Sequence, residues 1–286
     1  MAYENFIPEV WAEGINRELE RKCVFAEDCN RQYEGDVKQA GDSVHILGVG
    51  APTITTTTNK AITLSGPETV EDTSVIMPIR QIAYYNYKID DIDKRQAVGG
   101  VMEALNAETS AGLASKMDRY IAELSKDPAA VLLTAAASPT AVTYQNILQT
   151  LDSALQKLYE NDVDPATDIT ITVTPAIYML MKQAYIDLDT KNSDFLKNGY
   201  VGRYGAAKVK MSNNVYTHAE TVSGASETVH DIMVRTNRAI AFANPMTHVE
   251  AYRPEASFSD AVKGFILYDA KIVRPKEMVI ANVYID

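Results

Sequence analysis

A long helical pattern runs over residues 91–126. Apolar residues recur there mostly three or four positions apart, which is the spacing of one helical face. Asp90 and Asp91 offer N-cap oxygens, and Asp127-Pro128 ends the pattern because the residue before a proline avoids α geometry. At about 1.5 Å per residue such a helix is about 54 Å long, far longer than an ordinary core helix. We therefore predict a spine helix with sheets laid along it.

Residues 48–89 carry a strand pattern instead. Their β-branched and apolar residues are broken by Pro52, Gly66-Pro67 and Pro78, which favours strands joined by turns. A hairpin of this composition has too few large apolar side chains for a core of its own, and an isolated two-stranded ribbon is only marginally stable in water. We expect it to lie on something outside its own lobe.

Residues 1–47 read as a leading arm. A short helix pattern begins at Trp11, a turn follows at residues 30–35, and a strand pattern begins at Val44. Trp11 is the single tryptophan of the chain. It fits either a small local core or an anchor on a neighbouring molecule, and the arm's sequence leaves both open.

Residues 131–245 alternate helix and strand patterns and predict an α/β lobe. The helix pattern at 147–158 precedes a strand at 169–173, and Pro175 then fits the first turn of a second helix. Residues 246–286 alternate again, and we expect these strands to return along the spine. The chain then forms two lobes, the first of which is built from both halves of the sequence.

Composition and net charge argue against several classes of protein. The 286 residues carry a formal net charge of −11, which argues against tight neutralisation of nucleic-acid phosphates. Two cysteines, Cys23 and Cys29, do not make a disulfide framework in a chain of this length, and we expect them to be reduced. The N-terminal sequence predicts no signal peptide, and no apolar run approaches the roughly 20 residues of a membrane span.

No pattern of residues predicts catalysis. The four histidines, at positions 45, 218, 230 and 248, include no i, i+4 pair for zinc. The glycines at 199, 202 and 205 lack the spacing of a dinucleotide-binding turn, and no nucleophile motif occurs. We assign no catalytic, cofactor or metal residue. An α/β hydrolase or nucleotide-binding enzyme built on the second lobe is the alternative from another class.

Eight short motifs follow one another over nearly the whole chain. They are FIPEVW (6–11), NRQYEG (30–35), GDSV (41–44), IDDIDKRQ (89–96), NGYVG (198–202), VKMSNN (209–214), VEAYR (249–253) and FSDAVKG (258–264). In this order they resemble the major capsid proteins of tailed bacteriophages, whose shell fold is shared with encapsulins. The greatest similarity is to the P22-like group of coat proteins.

The resemblance implies an α+β, HK97-like capsid fold with a spine helix and a peripheral β-sheet. Its implied parts are an N-terminal arm (1–47), an extended E-loop hairpin (48–89), a peripheral domain (90–130 and 246–286) and an α/β axial domain (131–245). The hairpin would then lie on the adjacent subunit and bury apolar area there. The inter-subunit contact candidates are Trp11, Tyr33, Ile54, Thr56, Ile62, Leu64 and Arg80.

The resemblance also implies a function without catalysis or cofactor. Hexamers and pentamers of the chain would form an icosahedral shell around double-stranded phage DNA, assembled in the host bacterial cytoplasm and carried in the virion. One sequence that forms both rings requires a hinge, for which Gly99-Gly100 is our candidate; close packing is the other interpretation of these glycines. An encapsulin-like compartment around an enzyme is the rival function within the same fold.

The implied partners are other copies of the chain, a portal protein and packaged DNA, which the acidic chain would touch weakly and without sequence specificity. Decoration proteins are left open, and no membrane is implied. Because the arm begins within a few residues of Met1, we expect a separate scaffolding protein and not a fused one. Correct shells assembled efficiently from this chain alone would contradict that expectation.

Overall fold

The computed structural model describes residues 23–33, 43–49, 72–90, 101–134, 138–187, 201–222, 224–254 and 259–286. The helices of these parts are α1 (Val101–Ala122), α2 (Ile147–Glu160) and α3 (Pro175–Asp187). The strands are β1 (Ser43–Val49), β2 (Asp72–Pro78), β3 (Gln81–Asp90), β4 (Val131–Leu132), β5 (Thr140–Val142), β6 (Ile169–Val173), β7 (Val201–Tyr204), β8 (Ala207–Met211), β9 (Thr217–Val222), β10 (Ala225–Thr236), β11 (Ile240–Tyr252), β12 (Ser259–Ile272) and β13 (Met278–Ile285).

The α/β part is built on an eight-stranded sheet in the order β4-β13-β10-β6-β8-β7, with β5 beside β13 and β9 beside β10. All five residues of β6 are buried, because both faces of the sheet are covered. Helices α2 and α3 pack on one face through a shared apolar cluster. Pro175 is the first residue of α3, which confirms its predicted position.

The spine helix α1 packs between the eight-stranded sheet and a second sheet of three strands, β11, β12 and β3. Its Leu113, Met117 and Ile121 belong to one buried cluster with Met233 of β10 and Ile266 of β12. A 3-10 turn, Glu123–Lys126, follows α1 directly, so the predicted end before Asp127-Pro128 is confirmed. Residue 90 closes β3, and residues 91–100 lie outside the described parts.

The second sheet has three strands in the order β11-β12-β3. β11 and β12 pair antiparallel, with an irregularity in the pairing between Ala243 and Met246. β3 pairs along the whole of its length with β12. The strand is therefore part of this sheet, and its residues 81–89 fall within the predicted E-loop range of 48–89, which stays a prediction.

A two-stranded unit, β1 with β2, lies against this three-stranded sheet; we call it the hairpin base. Its buried side chains, Val44, Ile46, Met77 and Ile79, pack on Leu267 of β12. The pairing starts at Ser43 opposite Pro78, so β1 crosses the predicted boundary between residues 47 and 48. Residues 50–71, between the two strands, lie outside the described parts.

The last strand, β13, pairs with β10, β4 and β5 in the eight-stranded sheet. Residues 246–286 were expected to return along the spine, and Met278 and Ile280 of β13 lie in the buried cluster that also contains Met117 and Ile121 of α1. The first six residues of β13 are all buried. A strand buried on both faces needs a sheet that is covered on both sides, and the eight-stranded sheet provides one.

Candidate inter-subunit surface

The outer strand of the three-stranded sheet, β3, presents large apolar side chains to solvent. Successive side chains of a strand point to opposite faces, and Ile82 and Tyr84 share the outward face. Ile82 is 56% exposed and Tyr84 is 81% exposed. β3 pairs only with β12 among the described residues. An unpaired edge that carries exposed apolar side chains is a docking site for another chain unless something blocks it.

Tyr84 belongs to a row that crosses all three strands. It lies opposite Phe265 of β12, which lies opposite His248 of β11, and the rings of His248 and Phe265 are 5.6 Å apart. We call Tyr84, Phe265 and His248 the open row. Two residues further along β12, Leu267 is covered by the hairpin base. The hairpin base therefore covers this sheet face up to Leu267 and leaves the next row open.

A groove of about 630 Å³ runs between β3 and the spine helix. Its lining is mainly apolar and aromatic and consists of Ile82, Ala83, Tyr84, Tyr85, Thr109, Gly112, Leu113, Lys116 and Tyr268. A Cβ atom added to Gly112 would meet nothing within 4 Å, so the helix leaves this part of the groove open. Tyr84 borders the groove and also belongs to the open row.

Tyr85 fixes the strand that carries this surface. A Cβ atom at Gly264 of β12 would stand 2.5 Å from the Tyr85 hydroxyl oxygen and 2.7 Å from the carbonyl oxygen of His248. Only glycine therefore lets the tyrosine ring lie across β12. Burial raises the pKa of Tyr85 to about 12, and the nearby Tyr87 acts in the same direction.

Asp269 of β12 ties the hairpin base to the spine. One carboxylate oxygen accepts the hydroxyl of Tyr120 on α1 at 2.7 Å, and the other accepts the backbone N–H of Arg80 at 3.1 Å. Arg80 is the second residue after β2. Burial raises the pKa of Tyr120, and the hydrogen bond to Asp269 adds to the shift. The two hydrogen bonds of Asp269 therefore fix the segment after β2 in position relative to β12 and the spine helix.

Residues 23–30, which we call the anchor segment, are held by charged side chains from two elements. Asp118 of α1 accepts the backbone N–H groups of Val24, Phe25 and Ala26 at 2.8, 3.0 and 3.3 Å. Burial raises the pKa of Asp118, although these three donors and Arg235 act in the opposite direction. The Phe25 side chain is 1% exposed and packs in the cluster under the spine helix.

Arg235 of β10 binds the other side of the anchor segment. It is fully buried, and it donates to the carbonyl oxygens of Asp28 at 2.6 Å and Phe25 at 2.8 Å. Asn30 then exchanges backbone hydrogen bonds with Ile240 and Phe242 of β11, both at 2.9 Å. The anchor segment is thus joined to the spine helix and to both sheets.

The two cysteines of the anchor segment are buried and form no disulfide with each other, in agreement with the reduced state expected from the sequence. The Sγ atom of Cys29 donates to the carbonyl oxygen of Phe25 at 3.3 Å. Burial raises the pKa of the Cys29 thiol, which disfavours the reactive thiolate.

Two of the predicted contact residues fall on described parts of the chain. Arg80 is exposed beside β3, whereas Tyr33 is half-buried against the hairpin base of its own chain. The other contact candidates and both hinge candidates lie outside the described residues; they are Trp11, Ile54, Thr56, Ile62, Leu64, Gly99 and Gly100.

Sequence reasoning missed Tyr84 and the pair formed by Asp118 and Arg235. The signal for Tyr84 is the alternation of residues 81–88, in which both faces carry large side chains. One face of such a strand packs inward, and the other then needs a second partner. Asp118 gives no comparable signal, because its partners lie more than 90 residues away.

Among the described residues, no group of three or more His, Cys, Asp or Glu side chains is placed to hold a metal ion. No helix of the described parts has the length and apolar character needed to cross a bilayer.

Comparison with known proteins places this fold among viral shells. No protein-family model and no curated protein sequence matches the chain. A solved structure from Mycobacterium phage Che8 is 25% identical, with a TM-score of 0.72 over 90% of each chain. The capsid structure of the cyanophage P-SCSP1u is 15% identical, with a TM-score of 0.65 over 92% of this chain and 88% of that one.

The same fold occurs in a virus-like particle from Pyrococcus furiosus. That structure is 10% identical, with a TM-score of 0.59 over 95% of this chain and 97% of the other. The chain thus has the α+β fold of bacteriophage capsid proteins, which confirms the capsid fold expected from the sequence. The similarity covers nearly the full length of both partners in each comparison.

Proposed function

We propose that the chain is the major capsid protein of a bacteriophage, a structural subunit that assembles with copies of itself into a closed shell. The observation that carries this proposal is the extent of the match: 92% of this chain aligns with 88% of a cyanophage capsid protein at a TM-score of 0.65. A similarity that spans nearly all of both chains supports one structural role for the whole chain. The proposed role is structural and without catalysis.

In this proposal the open row and the groove beside β3 receive a neighbouring copy. Full burial of a large apolar side chain stabilises an interface by about 1.5–3 kcal/mol, and Tyr84 and Ile82 are both more than half exposed. Repeated heterologous contacts of this kind close into a shell under symmetry. Each subunit would bury its edge strand once, and the contact would recur throughout the particle.

The exposed Arg80 belongs to the same proposed interface, since its backbone is held by Asp269 near β3. The contact candidates outside the described residues are proposed to contact neighbouring subunits as well. Gly99-Gly100 is the proposed hinge. We assign the peripheral role to α1 with β3, β11 and β12, and the axial role to the eight-stranded sheet with α2 and α3. The order of the eight short sequence motifs would fit membership in the P22-like group of coat proteins.

Double-stranded DNA is the proposed content of the shell. The formal charge of −11 supports a lining that touches DNA weakly, because tight binding would need concentrated basic surface. A separate scaffolding protein and a portal protein are the proposed assembly partners in the host cytoplasm. The proposal leaves decoration proteins open.

A compartment that encloses an enzyme is the second candidate. The similarity to a virus-like particle from an archaeon favours it, because that structure shares the fold over 95% of this chain. Both candidates predict closed shells. They differ in what the shells contain, and in the genes that neighbour the coding sequence.

The test is cryo-electron microscopy of particles from cells that express the chain with its neighbouring genes, together with the ratio of absorbance at 260 to 280 nm. We expect closed shells in which the side chain of Tyr84 is buried against another subunit, and DNA in the filled ones. Shells that hold one folded protein would favour the compartment. A chain that never leaves the monomeric state would refute both.

A further inference from the structure

A second groove lies on the opposite side of the eight-stranded sheet from the spine helix. It runs between α2 and the turn that joins β7 to β8, and its volume is about 850 Å³. The lining residues are Asp152, Leu155, Gln156, Tyr159, Glu160, Tyr204, Gly205 and Ala206. We call it the acidic groove. The shell contacts proposed above make no use of it.

The floor of the acidic groove is apolar. Leu155 is 9% exposed, and Tyr159 and Tyr204 are half-buried beside it. Gly205 has a φ of +59°, and a Cβ atom there would meet nothing within 4 Å. The turn therefore leaves the groove open at this end, in a conformation that other residues rarely adopt.

Two carboxylates stand along the groove, eight residues apart on α2. At 1.5 Å per residue Asp152 and Glu160 are about 12 Å apart along the helix axis. Asp152 accepts the hydroxyl of Tyr204 at 2.6 Å, and Glu160 accepts the amide of Gln156 at 2.8 Å. These hydrogen bonds orient both acids without neutralising either charge.

No basic side chain from the described parts forms an ion pair with either acid. The lysine on the same helix, Lys157, points to the carbonyl oxygens of Leu132 and Leu133 instead. Lys208 pairs with Asp168 at 3.1 Å. Within the described part of the chain, the groove thus combines an apolar floor with two carboxylates that form no ion pair with a lysine or arginine.

We propose that the acidic groove binds a basic amphipathic helix of a partner protein. Two cations about 12 Å apart, which is two to three helical turns, would meet Asp152 and Glu160. Apolar residues between them would pack on Leu155 and on the rings of Tyr159 and Tyr204, as amphipathic helices do in hydrophobic grooves. A lysine or arginine placed over a tyrosine ring is attracted to the face of the ring and adds to the binding. This binding function goes beyond shell formation.

The probe is a fluorescent synthetic peptide of about 16 residues, long enough for roughly four helical turns, with lysines at positions i and i+8 and leucines between them. A matched peptide carries glutamates in place of the lysines. Fluorescence anisotropy measures binding of each to the full-length chain at two salt concentrations. We expect the basic peptide to bind, the acidic one not to bind, and the affinity to fall as salt rises.

Asp152→Asn with Glu160→Gln should raise the Kd at least about tenfold, which corresponds to about 1.4 kcal/mol. The matched control, Glu108→Gln with Glu227→Gln, removes the same charge from other surfaces and should leave the Kd within about twofold. An equal loss in both variants would mean general attraction to an acidic chain and would overturn the proposal, as would no loss in either.

The assembly state of both variants is followed by sedimentation in parallel. If the groove variant changes self-association while peptide binding is unaffected, the occupant is a second copy of this chain and the proposal is wrong. Peptide binding is read on the unassembled chain, so failure of shell formation and failure of the groove to bind are separate results.

Discussion

Asp118 and Arg235 bind the backbone of the same residue, Phe25, from two different elements of the fold. The carboxylate accepts the N–H of Phe25 at 3.0 Å, and the guanidinium donates to its carbonyl oxygen at 2.8 Å. Both charged groups are almost fully buried. Buried charges of opposite sign are tolerated where hydrogen bonds satisfy them, and here the anchor segment supplies those bonds to both.

Removing the carboxylate should therefore weaken the fold. Asp118→Ala leaves three backbone N–H groups without their acceptor and removes a negative charge that interacts with the buried Arg235. We expect the unassembled subunit to lose about 3 kcal/mol of unfolding free energy, measured by urea denaturation. Glu108→Ala, on an exposed position of the same helix, should change it by less than about 0.5 kcal/mol. Equal effects of the two variants would contradict the anchoring role.

Two glycine substitutions should act in opposite directions. Gly264→Ala pushes a methyl group against Tyr85 and the backbone of His248, and we expect it to destabilise the subunit by about 1–3 kcal/mol. Gly112→Ala has open space around it and lies within α1, so it should stabilise by up to about 1 kcal/mol. Thermal unfolding measures both. A neutral Gly264→Ala would show that Tyr85 moves away freely.

The contribution of Asp231 to the free energy of unfolding should depend on pH. Burial raises the pKa of Asp231, although its hydrogen bond from Ser125 and the nearby His218 act in the opposite direction. A raised pKa in the folded state means that this group's stabilising contribution is complete below the unfolded pKa of about 3.9 and is lost as pH rises through the folded value.

Asp231→Asn removes that loss, and the amide oxygen still accepts the Ser125 hydroxyl. The unfolding free energy of the variant, relative to the original chain, should therefore increase from pH 4 to pH 7. Urea denaturation at each pH gives the difference. A difference that stays flat or decreases over this range would show that Asp231 is not held at a raised pKa.

Tyr84 should matter for assembly and not for folding. It is 81% exposed in the single chain, so Tyr84→Ser should leave the unfolding free energy within about 0.5 kcal/mol. In the shell it is proposed to be buried, and particle yield should fall at least about tenfold, the effect of about 1.4 kcal/mol. Tyr144→Ser, at a tyrosine that is 40% exposed, is the matched control and should keep the yield.

Local signals in the sequence predicted the elements that local chemistry controls. The proline after Asp127 ends the spine, Pro175 begins α3, and residues 169–173 form a strand. The order of short motifs predicted the capsid fold as a whole. These features depend on neighbouring residues or on a resemblance over the full chain.

Features that depend on distant partners could not be predicted in the same way. The placement of β13 depends on β10, whose paired residues lie roughly 50 positions earlier. Asp118 looks like an ordinary polar position on a helix until the anchor segment, more than 90 residues away, is packed against it. The alternation along β3 shows that both faces of the strand carry large side chains. It does not show which face packs on the chain's own core and which stays exposed to another subunit.

The central claim is that this chain completes its surface with copies of itself. Sedimentation velocity of the purified full-length chain, with and without its proposed scaffolding protein, measures this most directly. The account predicts a large, uniform shell species when the scaffolding protein is present, and its loss in Tyr84→Ser. A single-copy species under all conditions, at concentrations where related shells would assemble, would contradict it.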